Sequence, residues 1–215
     1  MNTELETNTA NHKISAKTRF SIVAVALVAF MGILAETSLN VTFPTLEKTF
    51  GLPLSTVQWV TTAYLLVVAI VMPTSSYISQ RFQNRTLFFS GLIFFTLGDL
   101  LSLISPNFTI LMAGRLIQGI GTGIAIPLMF NLVLTKIPRE RVGLWMGFAG
   151  MILSIAPALG PTYGGLLTGT LGWRMIFAII LIIPICLFPL GAWAIEKSEK
   201  NVQANLILLL LYFCH

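Results

Sequence analysis

Charge is what this chain has least of. Asp, Glu, Lys and Arg make up only 10% of its 215 residues, while 55% are hydrophobic. A soluble domain carries roughly 25% charged residues, so an ordinary water-soluble fold is excluded. Cysteine is also scarce. Cys186 and Cys214 are the only two, and their spacing fits neither a disulfide framework nor a metal site. The two histidines, His12 and His215, sit near the chain ends. There is no GxxxxGK[ST] phosphate loop, which excludes an ATP-driven motor of that type. No His, Cys and carboxylate set points to a membrane enzyme. The expectation is a non-enzyme with no cofactor and no metal.

What is there is apolar and long. Six stretches, at about 20–41, 56–76, 86–104, 109–134, 142–167 and 173–195, are each long enough to cross a bilayer, which takes roughly 20 residues. Mean hydropathy is +0.85. Lipid offers free backbone groups no partner, so spanning elements are helices or closed barrels. These runs are too long and continuous for barrel strands. The fold class is therefore an all-α polytopic membrane protein. Residues 1–19 are polar and read as a disordered tail. The first apolar run is too long for a signal peptide and has no small-residue cleavage pattern, so it reads as a retained span.

The sequence pI of about 9.5 does not indicate nucleic acid, because the basic residues fall where topology needs them. One side of the spans receives ten: Lys13, Lys17, Arg19, Arg81, Arg85, Lys136, Arg139, Arg141, Lys197 and Lys200. The other side receives Lys48 and Arg174. The positive-inside rule puts both ends of the six-span unit in the cytoplasm of a multi-pass cell-membrane protein. Trp59 and Trp173 fall at outer helix ends, where an aromatic belt is expected.

Three ionisable residues lie inside spans: Glu36, Asp99 and Arg115. Each needs a reason, since intramembrane charge costs several kcal/mol. At 1.5 Å rise per residue, all three sit roughly 8–9 Å below the outer helix ends. That shared layer permits Arg115 to pair with Glu36 or with Asp99, offsetting part of the desolvation cost. Such a pair is a candidate proton-coupling element; a static ion pair that fixes helix packing reads the same way in sequence. Asn40 and Asn131 are further polar residues on the first and fourth spans. Gln118 lies three residues after Arg115 and shares its helix face.

Gly119 and Gly123 have GxxxG spacing, which allows close helix approach. The fifth span carries APALGPTYGG at 156–165. Pro157 and Pro161 each lack an N–H and crowd the carbonyl four residues back, so a bend is expected there. Gly160, Gly164 and Gly165 remove bulk beside it, which suits either a gating surface or a kinked packing helix. The spans fall into a three-plus-three rhythm around the short turn at 105–108.

Several of these segments resemble the N-terminal half of a major facilitator superfamily drug:proton antiporter of the fourteen-span multidrug exporter type. The stretch LAETSLNVTFP at 34–44 is similar to that family's LDxTIVNVALP. QWVTTAYLL at 58–66 is similar to the opening of its second span. RLIQG at 115–119 matches RxxQG, whose Arg is linked in the family to proton coupling. GPTYGG at 160–165 matches the antiporter motif GPxxGG, linked there to export. GWRMIF at 172–177 fits the start of the sixth span. The resemblance covers roughly residues 18–195 and implies a six-helix, three-plus-three bundle of the major facilitator fold.

Two departures stand out. The family's first-span Asp falls at Ala35, and Glu36 points about 100° further round the helix. The loop usually written GxLADRFGRR is here SYISQRFQNR at 76–85. Gln80 replaces its acid, while Arg81 and Arg85 remain. Family members continue for a comparable length beyond this point. The run LILLLLYFCH at 206–215 is too short to span, so 196–215 reads as a linker and an interrupted helix. The resemblance thus implies a proton gradient as energy source and a hydrophobic or amphipathic small molecule as substrate. A missing C-terminal half, or a second copy, would complete the cavity. A solute:proton symporter of the same fold and a non-transporting truncated membrane protein are the alternatives.

Overall fold

The computed structural model describes residues 15–79 and 82–194, with side chains placed up to Gly191. Gln80, Arg81, the first fourteen residues and the apolar run after 195 lie outside the described residues. The chain folds as α1 (Ala16–Phe50), α2 (Leu54–Val57), α3 (Trp59–Ile78), α4 (Asn84–Leu103), α5 (Phe108–Lys136), α6 (Arg139–Thr170) and α7 (Arg174–Ala194). Among the described residues six helical stretches are long and apolar enough to cross a membrane, with α2 and α3 together forming the second.

The helix ends follow local chemistry. α1 begins at Ala16, inside the segment read as a disordered tail, and runs through Pro44 to Phe50. Its 35 residues reach about 52 Å, well beyond the ~30 Å hydrocarbon core. It stops at Gly51, whose φ of 64° is left-handed and whose N–H bonds the Glu47 carbonyl at 2.9 Å. Glycine takes that conformation without a Cβ clash. α5 starts where the Asn107 side chain accepts from the Ile110 N–H at 2.9 Å, a side-chain N-cap. α6 continues as one helix through both Pro157 and Pro161, which are exposed on its surface.

The helices meet in pairs that exchange under a two-fold relation between the triplets. α1 packs along α6 as α5 packs along α3. α4 lies against α5 as α7 lies against α1, and the third helices of each triplet, α4 and α7, meet each other. The internal repeat is thus explicit in the contacts, although the residues of the two triplets do not look alike.

Small residues set the closest approaches. A methyl group on Gly114 would lie 2.6 Å from Ser102 Oγ and 2.8 Å from the Gly98 carbonyl; one on Gly121 would lie 2.6 Å from the Gly91 carbonyl. Those two glycines bring α5 onto α4. Gly119 and Gly123 face α3 instead, at Tyr64 and Val71. On α6, Gly160 faces Thr37 and Gly164 faces Ser38, so both press against α1. Gly165 does not share that role: it is exposed, and its nearest neighbour is Val41 Cγ1 at 3.8 Å from an added Cβ. The main apolar core joins α1, α4, α5, α6 and α7. A second cluster of Leu39, Leu46, Val57, Val60, Leu111, Trp173 and Phe177 closes the end where α1 terminates. Trp173 is therefore not a belt residue. It is 4% exposed and packs on Phe50 at 5.8 Å and Phe177 at 6.2 Å, whereas Trp59 is 55% exposed.

Candidate functional site: a buried polar network on α5

α5 carries the site because three of its polar residues fall on one side at helical spacing: Arg115, Gln118 and Thr122. All three are buried, and Arg115 is the largest fully buried side chain among the described residues. The Arg115 guanidinium donates through NH1 to the Gln118 side-chain oxygen. Gln118 in turn donates through Nε2 to Asp99 Oδ1 on α4 at 2.9 Å. Asp99 is itself fully buried.

The other side of Arg115 is aromatic. Its Cζ lies 3.9 Å from the centroid of the Tyr64 ring on α3. A guanidinium over a ring face gains cation–π attraction that is largest where water is excluded. The Tyr64 hydroxyl bonds the Gly32 carbonyl of α1 at 3.0 Å and the Thr122 hydroxyl at 2.9 Å. One connected set of polar groups thus links α4, α5, α3 and α1.

The direct ion pair expected between Arg115 and Glu36 or Asp99 is not formed. Gln118 stands between Arg115 and Asp99. Glu36 lies within electrostatic range of Arg115 but bonds Asn40, whose Nδ2 is 3.4 Å from its Oε1. The physical reason is geometric. Asp99 and Arg115 share a layer, but Gly98 and Gly114 draw the two backbones so close that Gln118, one turn further on, reaches the carboxylate first. Within the network Asp99 Oδ2 and Arg115 Nε and NH2 have no hydrogen-bond partner. Buried charged groups are costly unless paired, so these three atoms are the unsatisfied edge of the candidate site.

The remaining candidates separate from this centre. Asn40 is exposed and touches the network only through Glu36. Asn131 is half-buried, about 20 Å along α5 from Gln118. Gly160 contributes to a second joint, where Ser38 Oγ donates to its carbonyl at 3.1 Å. Gly164 packs beside it, and Pro157, Pro161 and Gly165 lie exposed on α6. Arg85 sits far from the network, with its guanidinium 5.9 Å from the Phe89 ring. Sequence reasoning missed Tyr64 and Thr122. Thr122 was discoverable, being four residues after Gln118; Tyr64 carries no such signal, because nothing in its own helix marks the face that meets α5.

A bundle of six helices long and apolar enough to cross a membrane, built from two exchanged triplets around a buried charged network, defines the class as a polytopic membrane protein. The sequence matches the Major Facilitator Superfamily over residues 25–207, and the chain belongs to that family. It is 41% identical over 188 residues to the lincomycin resistance protein LmrB of Bacillus subtilis (strain 168), covering 87% of this chain and 39% of that protein. It is 34% identical over 179 residues to the multidrug resistance protein B homolog of Mycobacterium tuberculosis (strain ATCC 25618 / H37Rv), covering 83% of this chain and 33% of that protein. The fold is similar to the crystal structure of a bacterial homolog to the human lysosomal transporter Spinster, inward-facing and unoccupied. That likeness has a TM-score of 0.74 at 14% identity, and covers 87% of this chain and 45% of that one. The chain spans between about a third and two fifths of the length of these curated relatives.

Proposed function

We propose that these six spans form one half of an exporter of hydrophobic or amphipathic drug-like compounds, driven by inward proton flow. The supporting observation is the Asp99–Gln118–Arg115–Tyr64 network: a buried guanidinium with free donors, an acid held one amide away, and a link to three other helices. An acid in that setting exchanges a proton when its surroundings change, and Arg115 senses the result. The relatives named for lincomycin and multidrug resistance support the substrate class. A second half, from a longer chain or another copy, supplies the opposite cavity wall. The distribution of basic residues supports a cytoplasmic position for both ends of the bundle.

The test is proton-driven movement of lincomycin and ethidium in proteoliposomes that hold these six spans together with a second half. The expected result is transport that depends on an imposed proton gradient, and that Arg115→Ala abolishes while still inserting in the membrane. Coupled efflux that persists in Arg115→Ala removes the assigned role of that residue. No gradient-dependent movement by the unaltered protein overturns the transport reading itself.

A further inference from the structure

Two acids stand near Arg115, and the structure treats them differently. Glu36 is only half-buried, and its one hydrogen bond is the long contact from Asn40 at 3.4 Å. Asp99 is 0% exposed and is held by Gln118 at 2.9 Å. The orientation of the Gln118 amide is not free. A guanidinium only donates, so it claims the amide oxygen. The amide NH2 is then left facing Asp99, where an acceptor is required. Each end of the amide is thereby committed by its partner, and a change at one end is felt at the other.

We propose that Asp99 is a proton-binding site of the bundle and that Gln118 couples its protonation to Arg115. Without a proton, Asp99 offsets the Arg115 charge across one amide. With a proton on Oδ2, the atom that has no partner, that offset is lost and Glu36 becomes the remaining acid acting on Arg115. Arg115 rests on Tyr64, and Tyr64 holds the Gly32 carbonyl, so a proton taken up on α4 alters contacts on α3 and α1. The titratable groups within electrostatic range of Asp99 are Arg115 on α5 and Tyr163 on α6, while Tyr64 on α3 and Glu36 on α1 act on Arg115. α7 contributes Arg174, which is bonded to the Ser105 carbonyl at 2.7 Å, and the exposed Cys186. As a proton-binding site Asp99 stands on this network alone; as the coupling site it rests on the transport reading above.

Two measurements keep these apart. The first is infrared difference spectroscopy of the chain in lipid nanodiscs across an acid-to-alkaline titration. A titrating carboxylic-acid C=O band is expected that disappears in Asp99→Asn, remains in Glu36→Gln, and moves its midpoint by on the order of one pH unit in Gln118→Leu. Asp99→Glu keeps the acid and serves if Asp99→Asn does not fold; it retains the band at a displaced midpoint. A band that survives Asp99→Asn, a folded Asp99→Glu without one, or an unmoved midpoint in Gln118→Leu overturns the proposal. The second is proton-driven ethidium accumulation in proteoliposomes that hold these six spans together with a second half, which Asp99→Asn is expected to lose. Undiminished accumulation in Asp99→Asn removes Asp99 as the coupling site. Inactivity of the unaltered protein falls on the transport reading, while the infrared result still decides proton binding.

Discussion

Substituting Gly98 by Ala tests how closely the network depends on helix approach. Gly98 lies where α4 crosses α5, and a methyl group there would meet backbone: the Gln118 amide nitrogen, the Gly114 carbonyl, and Gln118 Cα at 2.7 Å. Ordinary carbon contacts begin near 3.5 Å and the other two atoms lie nearer still, so the two backbones must part by at least about 0.8 Å. The Gln118–Asp99 hydrogen bond, now 2.9 Å, sits on the next residue of α4 and would stretch to roughly 3.7 Å, too long to survive. Overpacking costs typically 1–3 kcal/mol. A lost hydrogen bond to a charged group adds about 1.5–3 kcal/mol. The gain from replacing a helical Gly by Ala is only about 0.5–1 kcal/mol. The net expectation is a loss of about 1.5–5.5 kcal/mol, combining those figures. The assay is reversible unfolding in mixed micelles, with Gly147→Ala as control because an added Cβ there meets nothing within 4 Å. Gly98→Ala as stable as the parent, while Gly147→Ala gains its small helix-propensity increment, would refute the close-approach argument.

Tyr64→Phe keeps the ring beneath Arg115 but removes the hydroxyl that bonds Gly32 and Thr122. A loss of about 1–3 kcal/mol is expected in the same unfolding assay, and no change would mean that the α1 link carries nothing. Trp173→Ala is expected to cost about 3–5 kcal/mol because it empties a packed cluster. Trp59→Ala, at an exposed position, is expected to stay within about 0.5 kcal/mol, and equal losses at the two sites would contradict their different burial.

Much of this protein is legible without coordinates. Lipid forbids unpaired backbone, so scarce charge and long apolar runs dictate membrane-crossing helices. Helix rise alone places Glu36, Asp99 and Arg115 in one layer, and helical spacing alone puts Gln118 on the face of Arg115. The GxxxG spacing on α5 marks close approach, though not its partner. Position along a helix is a one-dimensional property, and the sequence carries it.

Which faces meet is a different matter. Rotation of each helix about its axis is set by side-chain packing against neighbours distant in sequence. Trp173 looks interfacial from its place at the start of α7, yet Phe50 and Phe177 cover it. Gly165 looks equivalent to Gly164, but a step of about 100° turns it away from α1. The same rotation decides that Gln118 reaches Asp99 and carries the bond to Arg115, leaving Glu36 with Asn40. The sequence by itself determined the helices, their order and the depth of each charge, because those follow from hydropathy and rise. Only the tertiary structure decided which acid joins the arginine, because that depends on glycine-mediated contact between α4 and α5 to within an ångström.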